Sequence, residues 1–499
     1  MPKRSQTPPK YPNYLREHIL YNGLTLTEVA QETDIPIRTL SDYCAGRLRI
    51  PRQRLEEFAR TIGCTPDEIV PKYEPPPQNN SPATFKLLPT ISTILPVPVV
   101  EPQASLMLLN MTVAPELPML YDSLETDILI VALRWTLHDS PIESLQQRIA
   151  SRIKDYDNMT HKHETNETKL SRRHALQAIA KLPIQAYALT ALSIESLRLP
   201  PAEEFLPLCA SGLTACRSLL YGGGIDSVPG LLATYLPTLE TMAQHASAHH
   251  KTAANLASQT YLMATIIADH YGHFDHMEAY SKAARKYAQI AQDANLEVSA
   301  LCRLAVKYDY QRRDWLALQT YQEAMALPHI QTASPLLQGR LLAGLAGSYA
   351  YCHQKENALN TLSKARDVYP VQPEEDPCFQ FAYSGPNTLL LWEGLTYKHV
   401  GQNRAAWKSF TQQGKLGPQP GLLETNRAEF VNYAASVAVR QRELDTAWLY
   451  LNAAEEIAWA TGHQQRYSEV LDTFRSMQLV WPDEARVNQL QEKIYSRKQ

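Results

Sequence analysis

Five arginines, Arg38, Arg47, Arg49, Arg52 and Arg54, fall in one short stretch, from Pro36 to Arg54, whose single acid is Asp42. A guanidinium stays charged at physiological pH and carries a planar fork of donors, so such a cluster suits oxyanions, phosphates above all. The whole chain is slightly acidic, with a formal net charge of -3 and a pI near 6.6. Bulk affinity for polyanions is therefore excluded, and attraction to them is confined to this one module.

Enzymatic chemistry finds no comparable foothold. The chain has no G-x-x-x-x-G-K-[ST] phosphate loop, no G-x-S-x-G elbow, no H-E-x-x-H helix and no cysteine-pair zinc spacing. Gly222-Gly223-Gly224 lacks the lysine and the preceding strand of a phosphate cradle and reads as a turn. His245 and His249 lie four apart, and His270, His273 and His276 recur every third residue, spacings a metal could use. Solvated histidines are the expected reading, with no cofactor, metal or catalytic residue. Seven cysteines are scattered singly, which suits reduced thiols in a cytoplasmic protein. No stretch approaches the roughly 20 apolar residues of a membrane span, and no apolar run follows Met1-Pro2-Lys3-Arg4-Ser5, so no secretion signal is expected.

The elements that must position the arginines are short helices. Thr25-Leu26-Thr27-Glu28 has capping-box spacing, so a helix is expected from Leu26, with Val29 and Ala30 inward. A turn follows at Asp34-Ile35-Pro36. Pro36 suits the first position of the next helix, Leu40 and Tyr43 give that helix a buried stripe, and Gly46 ends it. Pro51 opens another whose inward face is Leu55, Phe58, Ala59 and Ile62, with Gly63 as its stop. An earlier helix, from Pro12 to Asn22, buries Leu15 and Ile19, and Thr65-Pro66-Asp67-Glu68 caps a short fifth.

Five short helices in this order, with Gly23-Leu24-Thr25, Val29-Ala30, Ile35, Thr39-Leu40, Gly46, Pro51, Leu55, Ala59 and Gly63 to Ile69, resemble the lambda-repressor/Cro-type, or XRE, helix-turn-helix domain over residues 11 to 72. The resemblance implies a helix from Pro36 lying in the major groove of double-stranded DNA. It makes Pro36, Ile37, Arg38, Ser41 and Asp42 the side chains that face bases. Arg38 would pair with guanine, Ile37 would touch a thymine methyl, and Ser41 would reach a base or phosphate. Thr27, Arg47, Arg49 and Arg52, with Arg54, would meet the backbone. Leu26 and Pro36 depart from the family pattern, which commonly has glutamine and serine there.

Beyond the head, 499 residues at 44% hydrophobic and 20% charged are enough for several cores. Ten prolines between Pro75 and Pro118 make residues 73–121 a semi-rigid spacer. Residues 122–200 read as a small helical segment, and residues 201–499 as a repeat array. Ala305, Ala346, Gly394 and Ala435 are each followed twelve residues later by Ala317, Ala358, Ala406 and Ala447. Four further on come Tyr321, Leu362, Phe410 and Leu451. A small residue lets two antiparallel helices approach, and the large one fills the gap toward the next pair.

With Leu391-Trp392-Glu393-Gly394-Leu395-Thr396-Tyr397 as the best match, this pattern resembles the tetratricopeptide repeat. The fold class expected is all-α: a five-helix head, a proline-rich linker and an α-solenoid. Projected onto the repeat register, Gln259, Asp269, Ser299, Asp309, Arg340, Lys398, Glu429 and Asn432 face a concave groove suited to a peptide or protein effector. The combined architecture is similar to bacterial regulators whose repeat domain senses a peptide. It implies a sequence-specific DNA-binding transcriptional regulator, with homodimerisation open to it. The alternative is a scaffold or signalling adapter whose head does not read DNA.

Overall fold

The protein is seen here in a computed structural model that describes residues 26–44, 47–62, 142–160, 172–183, 201–221, 224–379, 386–417 and 422–497. It adds Leu15, Ile19, Ile69 and Ile128. The proline-rich spacer, Gly46, Gly63 and the cap of the fifth helix lie outside the described residues. Regular structure among the described residues is helical, with no strand. None of the described helices is long and apolar enough to cross a membrane. The chain divides into two compact units, Met1–Leu88 and Pro89–Gln499.

In the first unit α1 (Leu26–Glu32), α2 (Ile37–Cys44) and α3 (Arg52–Ile62) surround one small core. Leu15, Ile19, Val29, Ala30, Ile35, Leu40, Ile50, Phe58, Ala59 and Ile69 fill it. Each helix contributes residues three or four apart, so each shows one apolar stripe and leaves the rest to water.

Among the described residues of the second unit, α4 (Ile142–Thr160) and α5 (residues 172–183) are followed by α6 (Ala202–Tyr221) and α7 (Val228–Gln244). The sequence predicts a small helical segment over residues 122–200. Its described residues are helical, and their apolar positions Leu145, Ile149, Ile153, Leu176 and Ile179 share a single hydrophobic cluster with Phe205, Leu213 and Leu256. Two helices alone cannot bury their stripes, and the next helices supply the missing surface.

Among the described residues six helix pairs follow: α8 (His250–His270) with α9 (Phe274–Ala291), α10 (Ala294–Tyr310) with α11 (Asp314–Met325), and α12 (Pro335–Tyr351) with α13 (Lys355–Val368). Then come α14 (Pro386–His399) with α15 (Asn403–Gln413), α16 (Glu424–Gln441) with α17 (Leu444–Thr461), and α18 (Gln464–Val480) with α19 (Ala485–Ser496). The repeated small and large residues lie at the crossings. Ala317, Tyr321, Ala358, Leu362, Ala406, Phe410, Ala447 and Leu451 are all buried. A Cβ on Gly394 would collide with the ring of Phe410, so only glycine permits that approach.

The turn inside a pair recurs as well. Gly272, Arg312, His353, Gly401 and Arg442 all adopt positive φ, between 57° and 83°, two residues before the second helix starts. Glycine takes this left-handed conformation freely, whereas arginine and histidine are strained in it.

Candidate nucleic-acid interface and interior chamber

The turn between α1 and α2 is built by its own backbone. Thr33 N–H donates to the Val29 carbonyl at 3.0 Å and Ile35 N–H to the Ala30 carbonyl at 3.1 Å, around Asp34 at φ 49°. These bonds satisfy carbonyls at the end of α1. The Pro36 carbonyl accepts from Leu40 N–H at 3.0 Å, and that of Pro51 accepts from Leu55 N–H at 2.9 Å. Both prolines thus cap their helices from one position ahead of the expected place.

Leu40 is fully buried, which turns the opposite side of α2 outward. Ile37 is 51% exposed, and Pro36, Arg38 and Ser41 are exposed with it. Thr27 is exposed on α1, and Arg47, Arg49 and Arg52 are exposed beyond α2. Among the described residues no carboxylate pairs with Arg38 or Arg49. Arg52 reaches Glu56 at 3.6 Å while staying almost fully exposed.

Two expectations change. The resemblance puts Asp42 among the base-facing side chains, yet it is half-buried and accepts from Arg47 at 2.9 Å, so it orients that arginine. It puts Arg54 on phosphates, but Arg54 donates to the Thr33 carbonyl at 3.2 Å and to Glu57 at 2.6 Å. This arginine fastens α3 to the turn. A sequence shows the arginine but not the carbonyl that the fold brings beneath it.

In the second unit the first helix of each pair faces an interior chamber of about 1380 Å³. Asp269, Asp309, Arg340, Lys398, Glu429 and Asn432 line it. Gln259 and Ser299 do not. Gln259 is buried, donates to Asn255 at 2.7 Å and accepts from Gln146 of α4 at 2.8 Å. Ser299 is buried without a partner for its hydroxyl. The expected open groove is also narrowed, because α18 of the last pair returns to α8 of the first. Arg466 donates to the Tyr310 hydroxyl at 3.1 Å, Arg312 reaches Asp472 at 3.5 Å, and the rings of His270 and His463 lie 4.6 Å apart. His270 is therefore buried in this seam, where its spacing alone suggests solvent.

Charge inside the chamber is mostly compensated. Arg466 sits 2.9 Å from Glu429 and 2.8 Å from Glu469, and Arg303 sits 3.3 Å from Asp269. Burial pushes the Glu429 carboxyl upward although Arg466 opposes it. Burial likewise raises Asp309, helped by the Asp314 carboxylate, and lowers His463 to about 2. Lys398 is different. It is 9% exposed, stands 5.1 Å from the Tyr433 ring centre, and has no carboxylate within ion-pair distance among the described residues. Burial, with Arg440 and Arg312 nearby, pushes it down to about 7.

Arg312, Tyr433, Arg440, Arg466 and Glu469 line the chamber without standing among the positions that the sequence predicts. Their signal emerges only once α18 is put into the repeat register, since Arg466 and Glu469 pair within that helix while Tyr433, Arg440 and Arg312 find partners 36 to 160 residues away.

Residues 13–70 match the family model described as a helix-turn-helix domain. No curated protein matches the chain. The match covers α1, α2 and α3 and none of the paired helices, so the head of this chain is similar to helix-turn-helix DNA-binding domains.

Proposed function

We propose that the chain is a sequence-specific DNA-binding transcriptional regulator, with an XRE-type head and a tetratricopeptide-type unit that takes a peptide or protein effector or joins two copies. It carries no catalytic role in this reading. One observation supports it most: Ile37, Arg38 and Ser41 are exposed on a helix whose other side is anchored by fully buried Leu40. A rigid helix with a free donor-rich face is what major-groove reading requires.

The test is duplex binding as a function of salt. With Arg47, Arg49 and Arg52 on phosphates and Arg54 engaged by Glu57 and the Thr33 carbonyl, the log-log slope should be about -3. Arg38→Ala should weaken the preferred site by roughly 1–3 kcal/mol and relax its specificity. A slope near zero on every duplex would leave an adapter or scaffold.

A further inference from the structure

Three features of the chamber wall belong to the adjoining helices α14 and α16. Lys398 of α14 and Arg440 of α16 both lack a carboxylate partner among the described residues, while most other cations of the wall with stated contacts have one. Arg440 donates to the Lys398 carbonyl at 2.9 Å, which holds the two positions together. Asn432, on the same helix as Arg440 and 2% exposed, has neither its amide nitrogen nor its amide oxygen hydrogen-bonded. Buried amides without partners cost free energy unless something outside the fold completes them.

We propose that the chamber takes its effector by an anionic group, a carboxylate or a phosphate, seated at Lys398 and Arg440, with Asn432 meeting a donor and an acceptor on the same molecule. This rests on the reading above that the chamber receives an effector. Asn432 and Arg440 lie eight residues apart, about 12 Å along the helix, so the ligand is longer than an inorganic ion. Its anion supplies the countercharge that the wall lacks.

The groups facing Lys398 are Arg312, Arg440, Tyr433, Glu469 and its neighbour His399. Of these the Glu469 carboxylate and, more weakly, the Tyr433 ring face favour its charged form. With Lys398 lowered to about 7, a bound anion must raise it again, so binding near pH 8 takes up a proton.

Calorimetric titration of the full chain at constant ionic strength tests this with sulfate, whose charge is constant over the range, and with acetate. Tighter binding of sulfate assigns a phosphate-bearing ligand, and tighter binding of acetate a carboxylate. Lys398→Met and Arg440→Gln should each weaken the preferred anion about tenfold to a hundredfold, and Lys398→Met should abolish proton uptake. Arg38→Ala, in the head, should leave both unchanged. The site is refuted if neither anion binds the unaltered chain more tightly than it binds the two chamber variants. Anion binding without duplex binding would retain the site and remove gene control, and the converse would remove the site alone.

Discussion

In the head, Arg38 and Arg49 stand in solvent with no carboxylate in reach among the described residues. In the repeat unit, Arg303 and Arg466 are more than nine-tenths buried and clasped by Asp269, Glu429 and Glu469. The same side chain thus serves two ends. An exposed guanidinium costs the fold little and remains available to a polyanion, at an energy that salt screens. A buried one has given up water and is bound to its countercharges, so it fixes geometry and tolerates no loss of a partner.

Removing each kind separates the two roles. Arg466→Ala leaves Glu429 and Glu469 facing each other without their shared cation and frees α18 from Tyr310. It should cost about 3–5 kcal/mol in denaturant unfolding of the repeat unit. Arg38→Ala should change stability by less than about 0.5 kcal/mol. Equal losses for the two would mean that burial does not distinguish them.

The contrast also explains what could be read in advance. The edges of α1, α2 and α3 follow from neighbours within a few residues, such as Asp34, Pro36 and Pro51, and lie close to where those residues place them. So do the crossings, since Ala358 and Leu362 or Ala447 and Leu451 sit on one helix face by spacing alone. The closure of the chamber is another matter. It depends on the accumulated rotation of six pairs, which brings Arg466 to Tyr310 across 156 residues. No local spacing encodes that sum. Gln259 is the clearest case: its register position points to the concave side, and α4, outside the repeat pattern, covers it.

Lys398 extends the comparison to a buried cation that has no carboxylate within ion-pair distance among the described residues. An ordinary lysine titrates near 10.4. Because burial lowers Lys398 to about 7, the unfolded chain holds a proton between these values that the folded chain releases. The destabilisation is full below pH 7 and fades as the pH rises toward 10. Lys398→Met should therefore stabilise the repeat unit by about 1–4 kcal/mol at pH 6 and by little at pH 10, read as the difference between the two unfolding curves. A gain independent of pH would assign the effect to packing, not charge.

The smallest effects belong to the turns. Arg312, His353 and Arg442 share a left-handed position that Gly272 and Gly401 fill in other pairs. Glycine there relieves strain but adds entropy to the unfolded chain, for a net gain of about 0.5–1 kcal/mol. His353→Gly and Arg442→Gly should show that gain, because both side chains are exposed and neither lines the chamber. Arg312→Gly should show less, since Arg312 lines the chamber and reaches Asp472 across the seam. The difference among the three variants measures what the seam contact contributes. If Arg312→Gly stabilises as much as the other two, that contact contributes nothing, and closure rests on Arg466 and the histidine pair.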